Sequence, residues 1–254
     1  MQERLFAAHH DLEERHWWFR ARRRALLALG TSLVRPGGHV VDVGCGTGAD
    51  VSAFPDAYHR TGLDGSETAI AFARSRHRHV RFEVAVLPGA AADIIGQADL
   101  VLLCDVLEHI EHDETFLTWL VDTMKPHAHL ILTVPADPRL WSPHDEVYGH
   151  YRRYTRETLS AVFAACPARV RLLAPFNRVL YPAARLARAV AARRGRGWGR
   201  GGGDLALPWA PLNGLLERLF ASEVPSLAEA LQADAGSLPG RGVSLLAVLQ
   251  RSGP

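Results

Sequence analysis

Val40-Val41-Asp42-Val43-Gly44-Cys45-Gly46-Thr47-Gly48 is the stretch on which the fold turns. Its first part is short and β-branched and runs into three glycines; Ala49 onward reads as a short helix. Strand, glycine loop and helix together make a nucleotide-type site. Glycine accepts positive φ and lets the backbone come close to a ligand, which sits at the carboxyl end of the strands beside the first helix. Twenty residues after Gly44, Asp64 closes a second strand over 59–63. A carboxylate there can accept both hydroxyls of a ribose.

Outward from this motif the pattern alternates. Residues 80–84 read as a third strand and 99–104 as a fourth, apolar along its length like a strand buried on both faces. Residues 129–134 form a fifth, ended by Pro135. Between them, 67–77 is a helix capped by Ser66, with Glu67 at its positive end. Residues 114–125 are helical too, because Phe116, Leu117, Leu120, Val121 and Met124 keep i, i+3, i+4 spacing. Such alternation predicts a parallel sheet with right-handed crossovers. Upstream, 3–34 reads as helices broken near Trp17 and Trp18, and Pro36-Gly37-Gly38 is a turn. Downstream, 137–154 is polar, aromatic and loop-like; 155–165 is helix and 169–173 strand. Residues 177–192 form an amphipathic helix on Val179, Ala183, Leu186 and Val190, and 195–203 (GRGWGRGGG) is a flexible linker by composition. Leu212, Leu215, Leu216, Leu219 and Phe220 mark another amphipathic helix, and 243–249 is a closing apolar strand.

The 254 residues, 48% of them apolar, can bury a sizeable core in one α/β domain with additions or in two small ones. No apolar run is long enough to cross a bilayer, and the start lacks the shape of a signal peptide. Cys45, Cys104 and Cys166 are odd in number and not in metal-type spacing, which fits free thiols in a reducing cytoplasm. A net charge of +2 gives no argument for nucleic acid. Basic charge is uneven, however: Arg185, Arg188, Arg193, Arg194, Arg196 and Arg200 fall in a stretch without an acidic residue.

Gly44, Gly46, Ala49 and Asp64 also satisfy the dinucleotide pattern G-x-G-x-x-A plus acid. Three features argue against that reading: the additional Gly48, Asp42 inside the strand, and the polar run Cys104-Asp105-Val106-Leu107-Glu108-His109 at the end of the fourth strand. VVDVGCGTG, TGLDGS, ADLVLLCDVLEHI and LILTVPA, in that order over roughly residues 37–135, resemble the successive motifs of class I S-adenosylmethionine-dependent methyltransferases. The resemblance implies a Rossmann-like, mostly parallel seven-stranded sheet with an antiparallel last strand, the closing pair coming from 168–174 and 241–250. It implies S-adenosylmethionine as cofactor and S-adenosylhomocysteine as product. Gly44, Gly46 and Gly48 would line the methionine part, within a cofactor set that includes Asp42, Cys45 and Gly65. Asp64 would hold the ribose, residues 84–86 the adenine with Glu83 on its amine, and Asp105 would face the sulfonium. The chain then divides into an N-terminal helical cap (1–35), a cofactor core (37–135) and substrate-side insertions (136–165 and 177–235) of one domain.

Two further segments flank this core. In Glu14-Arg15-His16-Trp17-Trp18-Phe19-Arg20-Ala21-Arg22-Arg23 two readings stand: a lid in which Arg22 pairs with the methionine carboxylate, or a helix packing its aromatics on the sheet. After the fifth strand, 141–155 leaves from the ligand-facing edge. Trp141, Tyr148, Tyr151 and Arg153 read there either as a substrate wall or as a polar loop packed on tyrosine. The H-W-W-F-x-A-R-R start and the W-S-x-H-D-E-x-x-G-H-x-R-R-Y run resemble a bacterial branch of the family that accompanies sugar, lipid-linked glycan or natural-product pathways.

Methyl transfer from a sulfonium is an in-line displacement, so the protein mainly aligns and desolvates. A hydroxyl acceptor needs a base, for which His109, His144 and His150 are the candidates and His109 the favoured one; it also reads as a plain histidine on a helical turn. Asp105, Glu108 and His109, with His144 or His150, resemble the D/E-x-x-E-H motif of some metal-dependent O-methyltransferases, an oxygen-rich set that suits Mg²⁺ better than Zn²⁺; the metal-free reading is preferred. The expected partner is a small molecule. The rival functions are an NAD(P)-dependent oxidoreductase and an RNA methyltransferase using the arginine-rich segment. Transient contact of 178–192 with a membrane surface, or a homodimer, completes the expectations.

Overall fold

The computed structural model describes residues 10–193 and 206–253; the glycine–arginine linker expected over 195–203 lies outside them. Helix α1 (Trp17–Leu33) precedes β1 (His39–Val43), α2 (Ala49–Ser52), β2 (His59–Asp64), α3 (Glu67–Arg76), β3 (Arg81–Val84), α4 (Ala92–Ile95) and β4 (Leu100–Cys104). A 3-10 turn (Leu107–His109), α5 (Asp113–Thr123) and β5 (His129–Pro135) complete the alternating half. The second half holds a 3-10 turn (Pro138–Leu140), α6 (Pro143–Tyr148), α7 (Arg156–Ala164), β6 (Ala168–Phe176) and α8 (Tyr181–Arg193), then α9 (Ala210–Ala221), α10 (Val224–Gln232), β7 (Gly236–Ser237) and β8 (Ser244–Arg251).

The sheet runs β3-β2-β1-β4-β5-β8-β6-β7. The first five strands are parallel, and β8 is antiparallel to both β5 and β6. The seven expected strands are thus joined by an eighth, the two-residue β7, which lies beside Leu172 and Leu173 of β6. Chain order reverses between β1 and β4, so a crevice opens outside their carboxyl ends, where ligands bind in open α/β sheets. Leu100, Val101, Leu102 and Leu103 of β4 are fully buried, the signature of a strand covered on both faces. One face packs on Phe116, Leu117 and Leu120 of α5 and on Leu159 and Phe163 of α7. The other packs on Leu26 and Leu29 of α1, Ile70 of α3, Phe220 of α9 and Leu227 of α10. Among the described residues no helix is long and apolar enough to cross a membrane.

The helix break expected near Trp17 and Trp18 falls directly before them, where the His16 ring accepts the Trp18 N–H at 3.3 Å and caps α1. Other expectations need correction. Residues 137–154 are not all loop. Ser142 and Asp145 form a capping box for α6, with Pro143 in its first turn, a signal hidden in a polar run. The helix expected from 177 starts only at Tyr181. Asn177 ends β6 at φ +55°, and the Glu223 carboxylate accepts the N–H groups of Arg178 and Val179 at 2.6 and 3.0 Å. Helix α10 was not expected; Pro225 opens it, and Leu227 and Leu231 bury its inner face.

Candidate active site

A cavity of about 1020 Å³ opens at the crevice. Its floor is backbone. Gly44 and Cys45 donate their N–H groups to the Leu63 carbonyl at 2.8 and 3.0 Å, which ties the loop to β2. Gly44 and Gly46 adopt φ of +71° and +54°. A Cβ at Gly44 would lie 2.4 Å from Val106, so only glycine lets the β4 edge close on the loop. Asp64 accepts the Gly46 N–H at 2.9 Å with one oxygen and the Ser66 N–H at 2.8 Å with the other. Gly65, Ala85, Val86 and Leu87 continue the wall. Two residues of the expected cofactor set do not join it. Gly48 faces away, with Phe82 2.5 Å from where its Cβ would stand, and so serves the packing of β3. Glu83 is held by Arg81 at 2.7 Å outside the cavity.

Above the floor sits a cluster of acids around one arginine. Arg22, buried on α1, donates one terminal nitrogen to Asp50 at 2.5 Å and the other to Asp105. Its guanidinium lies 4.7 Å from the Trp18 ring. Burial alone would lower the Arg22 pKa; Asp50 and Asp105 outweigh that and hold it above its ordinary value. The bidentate fork is therefore spent on the protein's own carboxylates, and of the guanidinium nitrogens Nε is buried with no partner among the described residues. Asp105 stands at φ +54°, a left-handed conformation rare outside glycine, and also accepts from Thr133 Oγ1 at 3.3 Å. Burial pushes the Asp42 carboxyl well above its ordinary range, with Asp50 adding to the shift. Burial likewise raises the Cys45 thiol. Glu13, which accepts from Thr47 Oγ1, is pushed up by burial to about 7. Sequence reading missed Glu13; nothing in its flanking residues separates it from a surface acid. Asp50 carried a signal in its place on the first turn after the glycines.

The opposite side of the cavity is made of side chains. Tyr151 donates its N–H to the Glu108 carbonyl at 2.8 Å, and the Tyr154 hydroxyl reaches Asp113 at 2.7 Å, so the 141–154 segment is pinned over the end of β4. This sets the His150 ring 4.7 Å from that of His109, edge to face. Asp145, fully buried, holds His150 Nδ1 at 2.9 Å and Arg153 Nε at 2.8 Å. Burial opposes its charge, but His150 and Arg153 prevail and keep Asp145 well below the usual carboxylate range. Burial lowers His109 to about 4, and His150 adds to the effect. His144 stacks on Tyr148 at 4.3 Å and lines the same space with His109, His150, Tyr148 and Arg153. Trp141 and Tyr151 do not: both are exposed, Trp141 turned toward Glu146 and Tyr151 toward Arg152. The outer wall comes from Leu180, Ala183 and Ala187 near α8 and from Leu216 on α9; of these, the sequence marks only Ala183 and Leu216, as members of amphipathic stripes. Helix α9 is tied to α1 by Glu217, which meets Arg24 at 2.6 Å and Arg20 at 3.1 Å. The metal set expected with Asp105 changes too. Asp105 is engaged by Arg22, and the donor atoms that converge, within 4.8 Å of one another, are those of Glu108, His109 and His150.

A family model described as a methyltransferase domain matches residues 14–166. No curated protein sequence matches the chain. Solved structures share the fold. A methyltransferase in complex with the Trm112 methyltransferase activator from Haloferax volcanii superposes with a TM-score of 0.58 at 19% identity, over 98% of both chains. Geranyl diphosphate C-methyltransferase from Streptomyces coelicolor A3(2), in complex with Mg²⁺, geranyl-S-thiolodiphosphate and S-adenosyl-L-homocysteine, does so with 0.56 at 15% identity, over 91% of this chain and 75% of that one. The [4+2]-cyclase SpnF follows with 0.52 at 18% identity, over 92% and 81%. At such identities the likeness is one of fold, and a cyclase among the neighbours shows how little a fold says about chemistry.

Proposed function

The chain belongs to the methyltransferase-domain family, and from that premise we propose that it is an S-adenosylmethionine-dependent methyltransferase acting on a small-molecule acceptor, by in-line transfer to oxygen or nitrogen. One observation carries the reading: a single cavity joins the glycine loop and Asp64 to a pocket lined by imidazoles. S-adenosylmethionine, when bound, supplies an electrophilic methyl group on a sulfonium and leaves as S-adenosylhomocysteine. The chain's own residues align the partners and exclude water.

Asp64 takes the ribose hydroxyls. Each of its oxygens accepts one backbone bond, and a carboxylate offers about four lone-pair sites, so capacity remains. The backbone of Gly44, Cys45 and Gly46, with Asp42 beneath, cradles the methionine part, and Gly65 with Ala85 to Leu87 the adenosine. Asp105, locked by Arg22, faces the sulfonium end; Arg22 acts through that acid rather than as a fork on the methionine carboxylate.

On the acceptor side, His109, His144 and His150 surround the place where an acceptor hydroxyl loses its proton, and an acceptor amine needs only to arrive neutral. Tyr148 and Arg153 supply polar contacts, and Leu180, Ala183, Ala187 and Leu216 an apolar wall. That mixture suits a natural-product, sugar or lipid-linked acceptor with an apolar portion. Titration calorimetry compares S-adenosylhomocysteine with NAD: heat with the former and none with the latter is expected, and binding of NAD alone would sink the reading.

A further inference from the structure

Helix α9 is packed with its polar side inward. Buried Asn213 accepts the Trp17 N–H at 3.0 Å and donates to the Arg15 carbonyl at 2.8 Å. Glu217 is the one acidic residue of α8 and α9; it is buried too and pairs inward with Arg24 and Arg20. The leucines are left outside. Leu215 is 53% exposed, Leu207 and Leu212 are exposed as well, and Trp209, just before the helix, is 70% exposed. A surface helix ordinarily turns such residues to the core. Helix α8 leaves Leu186 67% exposed and holds Arg185, Arg188 and Arg193 without an acid. Arg218 adds an exposed cation on α9. The two elements border one opening, since Ala184, Ala187 and Arg188 of α8 line the same cavity as Pro208 and Leu216.

We propose that this outward face of α8 and α9 docks on the surface of an anionic lipid bilayer, with Trp209, Leu212, Leu215 and Leu186 set among the headgroups. A cluster of exposed apolar side chains marks an interaction site, and the cations beside it select the occupant. Leucine and tryptophan next to arginine are the pattern of helices that lie in a membrane interface. A second copy fits poorly, because a two-fold contact sets the arginines of one chain against those of the other. RNA would meet the arginines but offers the leucines no apolar cover. In the docked orientation the cavity mouth opens at the bilayer, and Leu180, Ala183, Ala187 and Leu216 continue the apolar surface inward. Docking stands on the two helices; its consequence rests on the methyl-transfer reading above, and narrows the acceptor to a molecule whose apolar portion stays in the membrane.

The full chain is co-sedimented with phosphatidylcholine vesicles that contain phosphatidylglycerol or lack it. Binding to the anionic vesicles is expected, weakening as salt rises, with little binding to the neutral ones. Trp209→Ser and Leu215→Glu each lower affinity for the anionic vesicles by about ten-fold or more. Arg185→Glu lowers it by about five-fold or more and flattens the salt dependence. The control at exposed Val147 on α6, Val147→Ser, leaves it unchanged. Titration of each variant with S-adenosylhomocysteine identifies those still folded. Failure to sediment with anionic vesicles, equal binding to neutral ones, or loss confined to variants that also lose S-adenosylhomocysteine would overturn the docking face. So would a dimer in size-exclusion chromatography that Trp209→Ser and Leu215→Glu dissociate. S-adenosylhomocysteine binding without vesicle binding removes this inference alone; vesicle binding without S-adenosylhomocysteine removes the methyl-transfer reading alone.

Discussion

The two sides of the cavity are built from different materials. The cofactor side is backbone: three strand ends, a loop held by the Leu63 carbonyl of the neighbouring strand, and acids placed by strand register. The acceptor side is side chains on segments more than a hundred residues apart, with α1 and α9 joined through Glu217 and Asn213. Backbone floors tolerate exchange of the side chains around them, whereas a wall of side chains changes with each residue. The first side therefore suits an invariant ligand, and the second can be respecified for a new acceptor without disturbing the sheet.

The largest expected effect breaks the acceptor side at its anchor. Asp145→Ala strands Arg153 and His150 without their buried partner, which destabilises by about 3–5 kcal/mol. Urea unfolding checks it; a loss under about 1 kcal/mol would show the anchor to be dispensable.

Glu13 probes the cofactor side by pH. Its folded pKa, about 7, lies above its unfolded value. Its contribution to stability is thus fully present below the unfolded pKa and is lost as pH rises through about 7. Between those limits the native chain binds the additional proton, so stability falls by about 1.4 kcal/mol per pH unit. Melting curves of the ligand-free protein and of Glu13→Gln should diverge over that window, the variant staying flatter; parallel curves would remove Glu13 as the cause.

Asp64→Ala should weaken S-adenosylhomocysteine binding by about 1–3 kcal/mol, measured by calorimetry. Unaltered affinity would refute its ribose role. The smallest effect sharpens the border of the acceptor side. Tyr151→Ala, at an exposed residue outside the cavity, should change stability by no more than about 0.5 kcal/mol. It should leave acceptor KM unmoved, whereas Tyr148→Ala raises that KM.

The legibility of the molecule follows the same division. Strand, loop and acid were readable where the motif is contiguous, because β1, its glycines and Asp64 interact with neighbours set by the sheet register. Gly48 shows the limit even there: its glycine signature is real, but the contact that demands it is Phe82, not a ligand. Trp141 and Tyr151 read as plausible wall residues by type and place, yet the turn of α6 and the Arg152 contact direct them outward. Glu13 and Asp145 were invisible as a pair of opposites. One is an acid raised by burial, the other an acid lowered by cationic partners, and the difference lies wholly in what the fold packs around them.

Hydrophobic period and glycine placement act locally, so the residues alone were enough to read the alternating strands and helices, the glycine loop after β1 and Asp64 at the end of β2. The tertiary structure alone decided that Arg22 spends its fork on Asp50 and Asp105, and that Glu108, His109 and His150 converge. Apart from the adjacent Glu108 and His109, those contacts join residues 28 to 83 positions apart, and charge and lone-pair direction acquire meaning only once packing has fixed the distances.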